Sequence, residues 1–209
     1  RDFDPSFEPL SRRLFGAFGL FPTSGDGHLG EYLAYAHETS DLKGFDFDGY
    51  ASYACELDAR VERASTNCEA LDEFLRWESG ERGGQVVAAI VNNWHAYEDV
   101  VNVVNGGALP GLPDWAIVEL PGVLGANGAN AVRVPALPPA ITAMLNQQVA
   151  VQDRVVEAAV HGDRQAALQA LLLDPLTASY DNAGKLLDEL LAVHADYLPR
   201  FAGTKVTAE

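Results

Sequence analysis

Positive charge is scarce in this chain. Its 209 residues carry 14 Lys and Arg against 30 Asp and Glu, a formal net charge of −16. A duplex-binding face needs clustered Lys and Arg to displace counterions from phosphates, and no such cluster occurs, so nucleic acid is not an expected partner. An anionic membrane surface is poorly served for the same reason. Cysteine is nearly absent too. Cys55 and Cys68 fall in one expected helix, where their separation amounts to roughly 20 Å, out of disulfide reach. Two reduced, buried thiols and a cytoplasmic setting are the expectation. No apolar run approaches the roughly 20 residues of a membrane span, and no signal-peptide pattern opens the chain at Arg1. The histidines lack HxxxH or HExxH spacing and the cysteines lack CxxC, so a self-contained metal site is not expected. P-loop, GxGxxG and nucleophile-elbow motifs are also missing, which leaves nothing to cradle a pyrophosphate or present a serine nucleophile.

The composition itself is that of a folded protein, 48% hydrophobic and 21% charged. Ser6–Leu20 places Phe7, Leu10, Leu14, Phe15 and Phe18 on a helical repeat that Pro22 ends. A second helix is expected from His28 to Glu38, burying Leu29, Leu33 and Ala36. The polar connection Asp41–Gly49 leads to Tyr50–Glu78, free of Gly and Pro, which reads as one long helix or as two with a break near Ser65–Asn67. Ser79–Gly84 interrupts it and Gln85–Tyr97 resumes helical spacing. The β-branched runs Val100–Val104 and Ala116–Leu120 read as strands around a Gly/Pro loop, with Ala131–Val134 a short third strand. Ala140–His161 is a helix burying Ile141, Leu145, Val149, Val156 and Val160, stopped by Gly162. Asp163 caps a short helix ending at Asp174-Pro175, and Asn182–Leu198 buries Leu186, Leu187, Leu190, Leu191 and Leu198. Strands do not alternate with helices, so a helix-rich α+β fold is expected, one domain over 1–201 with a frayed tail at 202–209.

Proton-moving groups concentrate in Phe21–Tyr32, FPTSGDGHLGEY. Asp26 stands where a helix N-cap belongs, and a capping Asp needs no further role. His28 and Tyr32 are four apart and would share a helix face. A lone histidine in a first turn is commonly structural, and a tyrosine serves as base only where its surroundings make it more acidic. Asn102 and Asn105, around a strand end and Gly loop, suit either substrate hydrogen bonding or an ordinary turn.

Three segments together carry a resemblance: FPTSGDGHLGEYL, then VVNVVNGGALPGLPDWAIVELPGVLGANG, then LPPAITAMLNQQVAVQDRVVEAAVHGDRQAALQALLLDPL. In this order they resemble the carboxyl-terminal half of glycoside hydrolase family 4, the NAD- and divalent-metal-dependent glycosidases. The resemblance implies a domain similar to the carboxyl-terminal domain of lactate dehydrogenases. It also implies that a Rossmann domain, with the Gly-rich loop and the metal-binding Cys and Asn-His residues, precedes the stretch seen here. The family's chemistry departs from the two-carboxylate scheme of other glycosidases: oxidation of the sugar, elimination, addition of water, then reduction. Carried onto this chain, the resemblance implies catalytic roles for Asp26 and Tyr32 and substrate contacts for His28, Asn102 and Asn105, with His28 also near the metal. NAD and Mn2+ are the implied cofactors, their main binding residues being absent here. The implied substrate is an α-galactoside or related α-glycoside, and the implied partners are the Rossmann half and sister subunits in a homo-oligomer. The 209 residues alone are expected to be inactive. The alternative is a non-catalytic sugar-binding or oligomerisation module derived from the same domain.

Overall fold

The structure is a computed structural model, and it describes residues 7–23, 25–38, 47–76 and 82–202. Most of the expected connection Asp41–Gly49, the start of the interruption at Ser79–Gly84 and the tail beyond Ala202 lie outside them. Eight α-helices and three strands follow in order among the described residues: α1 Pro9–Phe18, α2 Asp26–Gly30, α3 Phe47–Thr66, α4 Cys68–Arg76, α5 Gly83–Val91, β1 Ala96–Val104, β2 Ile117–Gly125, β3 Gly128–Ala131, α6 Pro139–His161, α7 Arg164–Leu173 and α8 Tyr180–Val193. Short 3-10 turns cover Ala36–Glu38, Ala195–Tyr197 and Pro199–Phe201. The fold is helix-rich α+β, as the segment order led one to expect. The chain forms two compact units, one of Arg1–Leu42, Val104–Val118 and Arg133–Glu209, the other of Lys43–Val103 and Glu119–Val132.

In the first unit, Leu10 and Leu14 of α1 pack with Leu33 and Ala36, with Phe18, Leu29 and Met144 at the edge. The loop between β1 and β2 is folded around Asn105. The Asn105 amide group donates to the carbonyls of Leu109, Leu112 and Pro113, each at 3.1 Å, and its oxygen accepts from the Leu109 N–H at 2.7 Å. Asn146 of α6 donates to the Gly111 carbonyl at 2.9 Å. Gly111 has φ +92°, and a Cβ there would approach Thr142 of α6 to 2.9 Å, so both backbone shape and space call for glycine. Gly162 ends α6 in the left-handed conformation, and the Asp163 carboxylate accepts from the N–H groups of Gln165 and Ala166 at the start of α7. Both were legible as local stop and start signals. Arg200 then folds back so that its guanidinium donates to the Val160 carbonyl.

In the second unit, the helical run after Phe47 breaks at Asn67. Ser65 and Thr66 hydroxyls bond back to the Glu62 carbonyl, and the Asn67 side chain accepts from Glu69 and Ala70 N–H groups to start α4. Cys55 and Cys68 are therefore on separate helices, and both are exposed free thiols, not buried ones. The sheet has strand order β1-β2-β3, and β2 pairs antiparallel with β3, Gly122 opposite Ala131 and Gly125 opposite Gly128. Leu120, Gly122 and Leu124 face inward on alternate positions. A Cβ on Gly122 would sit 2.5 Å from Val101, which explains glycine within that strand. Glu98 of β1, largely buried, takes Arg82 in a forked pair, Nη2 at 2.7 Å and Nε at 3.0 Å from Oε1.

Several expected boundaries moved. The second helix ends at Gly30 instead of Glu38, because Glu31 and Tyr32 N–H groups bond three residues back to His28 and Leu29 carbonyls in a tightening turn. The helix expected to reach Tyr97 ends at Val91. Asn93 and His95 adopt positive φ there, and the Asn93 side chain accepts from Ala126 N–H, so the chain turns into β1. The third strand lies at Gly128–Ala131, before the expected Ala131–Val134. The buried residues of the last three helices are mostly small, Ala158, Ala166, Ala170 and Ala183, joined by Leu187. Leu145, Val156, Val160, Leu186 and Leu190, expected inside, are exposed. Alanine at the contacts lets helices approach closely, and the larger apolar residues are then turned outward.

Candidate active site

Both helices that build the candidate site start with an acidic residue that serves the other helix. α1 begins at Pro9, which has no N–H to satisfy, so its first unpaired donors are Leu10 and Ser11. Their partner is Asp26, the first residue of α2. Oδ2 accepts from Leu10 N–H at 2.7 Å, and Oδ1 accepts from Ser11 N–H at 2.8 Å and from the Ser11 hydroxyl at 2.7 Å. The side chain of Glu8, the N-cap position of α1, makes no capping bond to its own helix. Its carboxylate instead accepts from the Asp26 N–H at 2.5 Å, at the start of α2. Glu8 holds φ 47° and ψ 61°, a left-handed conformation uncommon for a side-chain-bearing residue. Gly25 precedes α2 in extended backbone, and a Cβ there would approach the Glu8 carboxylate to 3.2 Å.

Asp26 is 9% exposed. Burial by itself would raise its pKa, but the Ser11 hydroxyl and the Leu10 and Ser11 N–H groups stabilise the charged form and bring it below the ordinary carboxylate range. A carboxylate so held is a weak base. Two residues on, His28 is exposed, with Nδ1 3.7 Å from a Glu31 oxygen. Tyr32 follows in the turn after α2, 46% exposed, between Leu29 and Leu33, the latter in the core. His28 is in α2 and Tyr32 just past it, so the shared helix face is only partly realised. Tyr35 is also exposed, and His37 bonds the Ala34 carbonyl through Nδ1 at 2.8 Å.

Asp26, His28 and Tyr32 are thus brought together on one anchored segment. The other two candidates are not part of it. Asn105 is 1% exposed and engaged in the loop bonds described above. Asn102 is exposed on β1, in the second unit. Glu8 and Ser11 escaped the sequence reading. The one signal for them was an acid before Pro9 with a serine two residues after it, a helix-start pattern with no acceptor of its own in register.

Among the described residues no group of three or more His, Cys, Asp and Glu is placed to hold a metal ion. No helix among them is long and apolar enough to cross a membrane. Fold and geometry define a helix-rich α+β domain that presents a phenol and an imidazole from a capped segment. The family model described as "Family 4 glycosyl hydrolase C-terminal domain" matches residues 3–177. The chain is 29% identical to an α-glucosidase of Erwinia rhapontici over 184 residues, 88% of this chain and 37% of that protein. It is also 29% identical to an α-galactosidase of Rhizobium meliloti over 212 aligned positions, 93% of this chain and 43% of that protein. A solved 6-phospho-α-glucosidase from gut microorganisms, in complex with NAD and Mn2+, superposes with a TM-score of 0.52 at 32% identity, covering 55% of this chain and 26% of that chain. The chain belongs to family 4 of the glycosyl hydrolases. It spans less than half the length of the curated relatives it matches.

Proposed function

We propose that this chain is the substrate-binding and proton-transfer half of an NAD- and divalent-metal-dependent glycosidase that acts on α-galactosides or related α-glycosides. The observation that carries the reading is the family match through Asp26–Tyr32, where an exposed phenol and imidazole sit on a segment tied to the core. Tyr32 is the proton-transfer group in this reading. His28 hydrogen-bonds sugar hydroxyls beside it. Asn102, exposed on β1, is a sugar-binding candidate within its own unit. Asn105 acts on substrate only through the loop that it shapes.

Among the described residues no group of His, Cys, Asp and Glu fits a metal ion, and the sequence carries no Gly-rich phosphate loop to fit NAD. The proposal has both held by a nucleotide-binding half with which this domain pairs. Surface chemistry supports such pairing: Leu186, Leu190, Val193 and Tyr197, at helical spacing along α8 and the turn after it, are all exposed, an apolar stripe of the kind that assemblies cover. The Rossmann half and a second copy are the two proposed covers. The free thiols fit a reducing, cytoplasmic setting, which belongs to the same proposal.

The test is turnover of nitrophenyl α-galactoside and α-glucoside by the full-length protein that carries this chain, with NAD+ and Mn2+. Tyr32→Phe should lower kcat by about 10²- to 10⁴-fold, the range for loss of a general acid–base group. Equal turnover in EDTA without nucleotide would sink the reading. Turnover under no cofactor condition, with sugar binding intact, would instead favour the non-catalytic module, which the exposed α8 stripe also suits.

A further inference from the structure

The two carboxylates at the start of α1 and α2 are exchanged: each serves the N-terminus of the helix to which it does not belong. The exchange is closed at both ends. Asp26 supplies acceptors for Leu10, Ser11 N–H and the Ser11 hydroxyl, and Glu8 supplies the acceptor for Asp26 N–H. Ser11 at 0%, Leu10 at 1% and Asp26 at 9% exposure place the bonds that Asp26 accepts out of solvent, and the bond to Glu8 is part-buried. Outside this pair, Leu29 is the side chain of α2 that packs at the edge of the core. The helix is five residues long, begins at a glycine N-cap and ends at Gly30, too short to be stable alone. Its place is set by the lock at one end and by Leu29, Leu33 and Ala36 against the core at the other. Tyr32 lies one residue before the second anchor, so a slip of α2 at the lock displaces the phenol.

We propose that Glu8 and Asp26 form a reciprocal capping lock that positions Tyr32, and that Asp26 is a positioning residue, not the proton carrier. The proposal rests on the reading of Tyr32 as the proton-transfer group. Two features argue against Asp26 carrying the proton. Both its oxygens already accept bonds from α1, and the residue is 9% exposed. Glu8 supplies the complementary argument: it accepts a backbone N–H, yet holds a left-handed backbone to do so, and such conformations persist where surrounding structure over-determines them.

The experiment uses the full-length glycosidase with NAD+ and Mn2+. Four variants are compared, Asp26→Asn, Asp26→Ala, Glu8→Gln and Glu8→Ala, with Tyr32→Phe as reference. Hydrogen exchange at Leu10, Ser11 and Asp26 amides is read beside kcat, KM and the pH profile. The lock predicts that Glu8→Ala lowers kcat by about tenfold, within the cost of a misplaced catalytic group, and leaves KM nearly unchanged. Glu8→Gln, which keeps an acceptor, restores most of it. Asp26→Asn keeps one acceptor oxygen and retains more activity than Asp26→Ala, with exchange at Leu10 and Ser11 faster in both. The pH profile keeps its shape in every lock variant. Should Asp26→Ala fail to fold, Asp26→Asn and the Glu8 pair carry the comparison. The proposal is overturned if Asp26→Asn falls to the Tyr32→Phe level and loses a pH limb while Glu8→Ala keeps full rate. It is overturned equally if exchange at Leu10 and Ser11 does not change. Undiminished turnover by Tyr32→Phe refutes the reading of Tyr32 and the positioning role with it, a result distinct from either of the first two.

Discussion

Replacing Asn105 by alanine separates a loop clamp from a sugar ligand, the two roles that its position in NGG leaves open. The side chain is 1% exposed and spans the loop, donating to three carbonyls and accepting from Leu109 N–H at 2.7 Å. Leu109 is itself buried, so alanine strands its N–H away from water, a loss of about 1–3 kcal/mol. The three carbonyls share two N–H groups, and their loss adds about 1 kcal/mol once relaxation is allowed. The total is roughly 3 kcal/mol, equivalent to about a hundredfold faster exchange at the Leu109 amide if the loop opens locally. The assay is site-resolved hydrogen exchange on the full-length protein, with KM for a nitrophenyl α-glycoside measured on the same samples. Asn105→Ala should raise exchange at Leu109 by that order and, with it, the susceptibility of Gly106–Pro113 to proteolysis. An unchanged exchange rate accompanied by a tenfold rise in KM would refute the clamp and return Asn105 to the substrate.

Two further outcomes follow from the same reasoning. Gly162→Ala forces a left-handed backbone onto alanine at φ +68° and drives its Cβ into the Arg200 carbonyl, so it should cost more than the roughly 1 kcal/mol of the backbone term alone. Release of the Pro199–Phe201 turn, read by limited proteolysis, should accompany the lower Tm, and an unaltered digestion pattern would count against that docking. Asp26 has a folded pKa below its ordinary value, so its contribution to stability is complete above the ordinary carboxylate range and is lost as pH falls through the folded value. The stability gap between the natural protein and Asp26→Asn should therefore be widest near neutral pH and shrink on acidification below that range. A gap that stays constant in acid titrations followed by circular dichroism would contradict the assignment.

The chain by itself determined whatever depends on residues a few positions apart. Gly162 and Asp163 stop α6 and start α7 because the left-handed cap and the Asp163 carboxylate act within three residues. The strand-forming runs at Val100–Val104 and Ala116–Leu120 lie within β1 and β2 apart from Ala116, and the segments from Phe21 to Leu176 carried the family. Tertiary structure decided the uses of polar groups and the sidedness of helices. Asp26 looked like a cap for its own helix, yet its partners lie 15 and 16 residues away, where spacing carries no information. Asn105 became a clamp because the Gly/Pro loop closed around it, and Asn102, three residues earlier in the chain, stayed exposed. The apolar repeat of α8 showed a helix with one greasy stripe, but not which way the stripe would point. Helix packing through Ala158, Ala166, Ala170, Ala183 and Leu187 settled that, leaving Leu186 and Leu190 outside. Hydrophobic periodicity records that a face is to be covered, and only the assembled contacts decide what covers it.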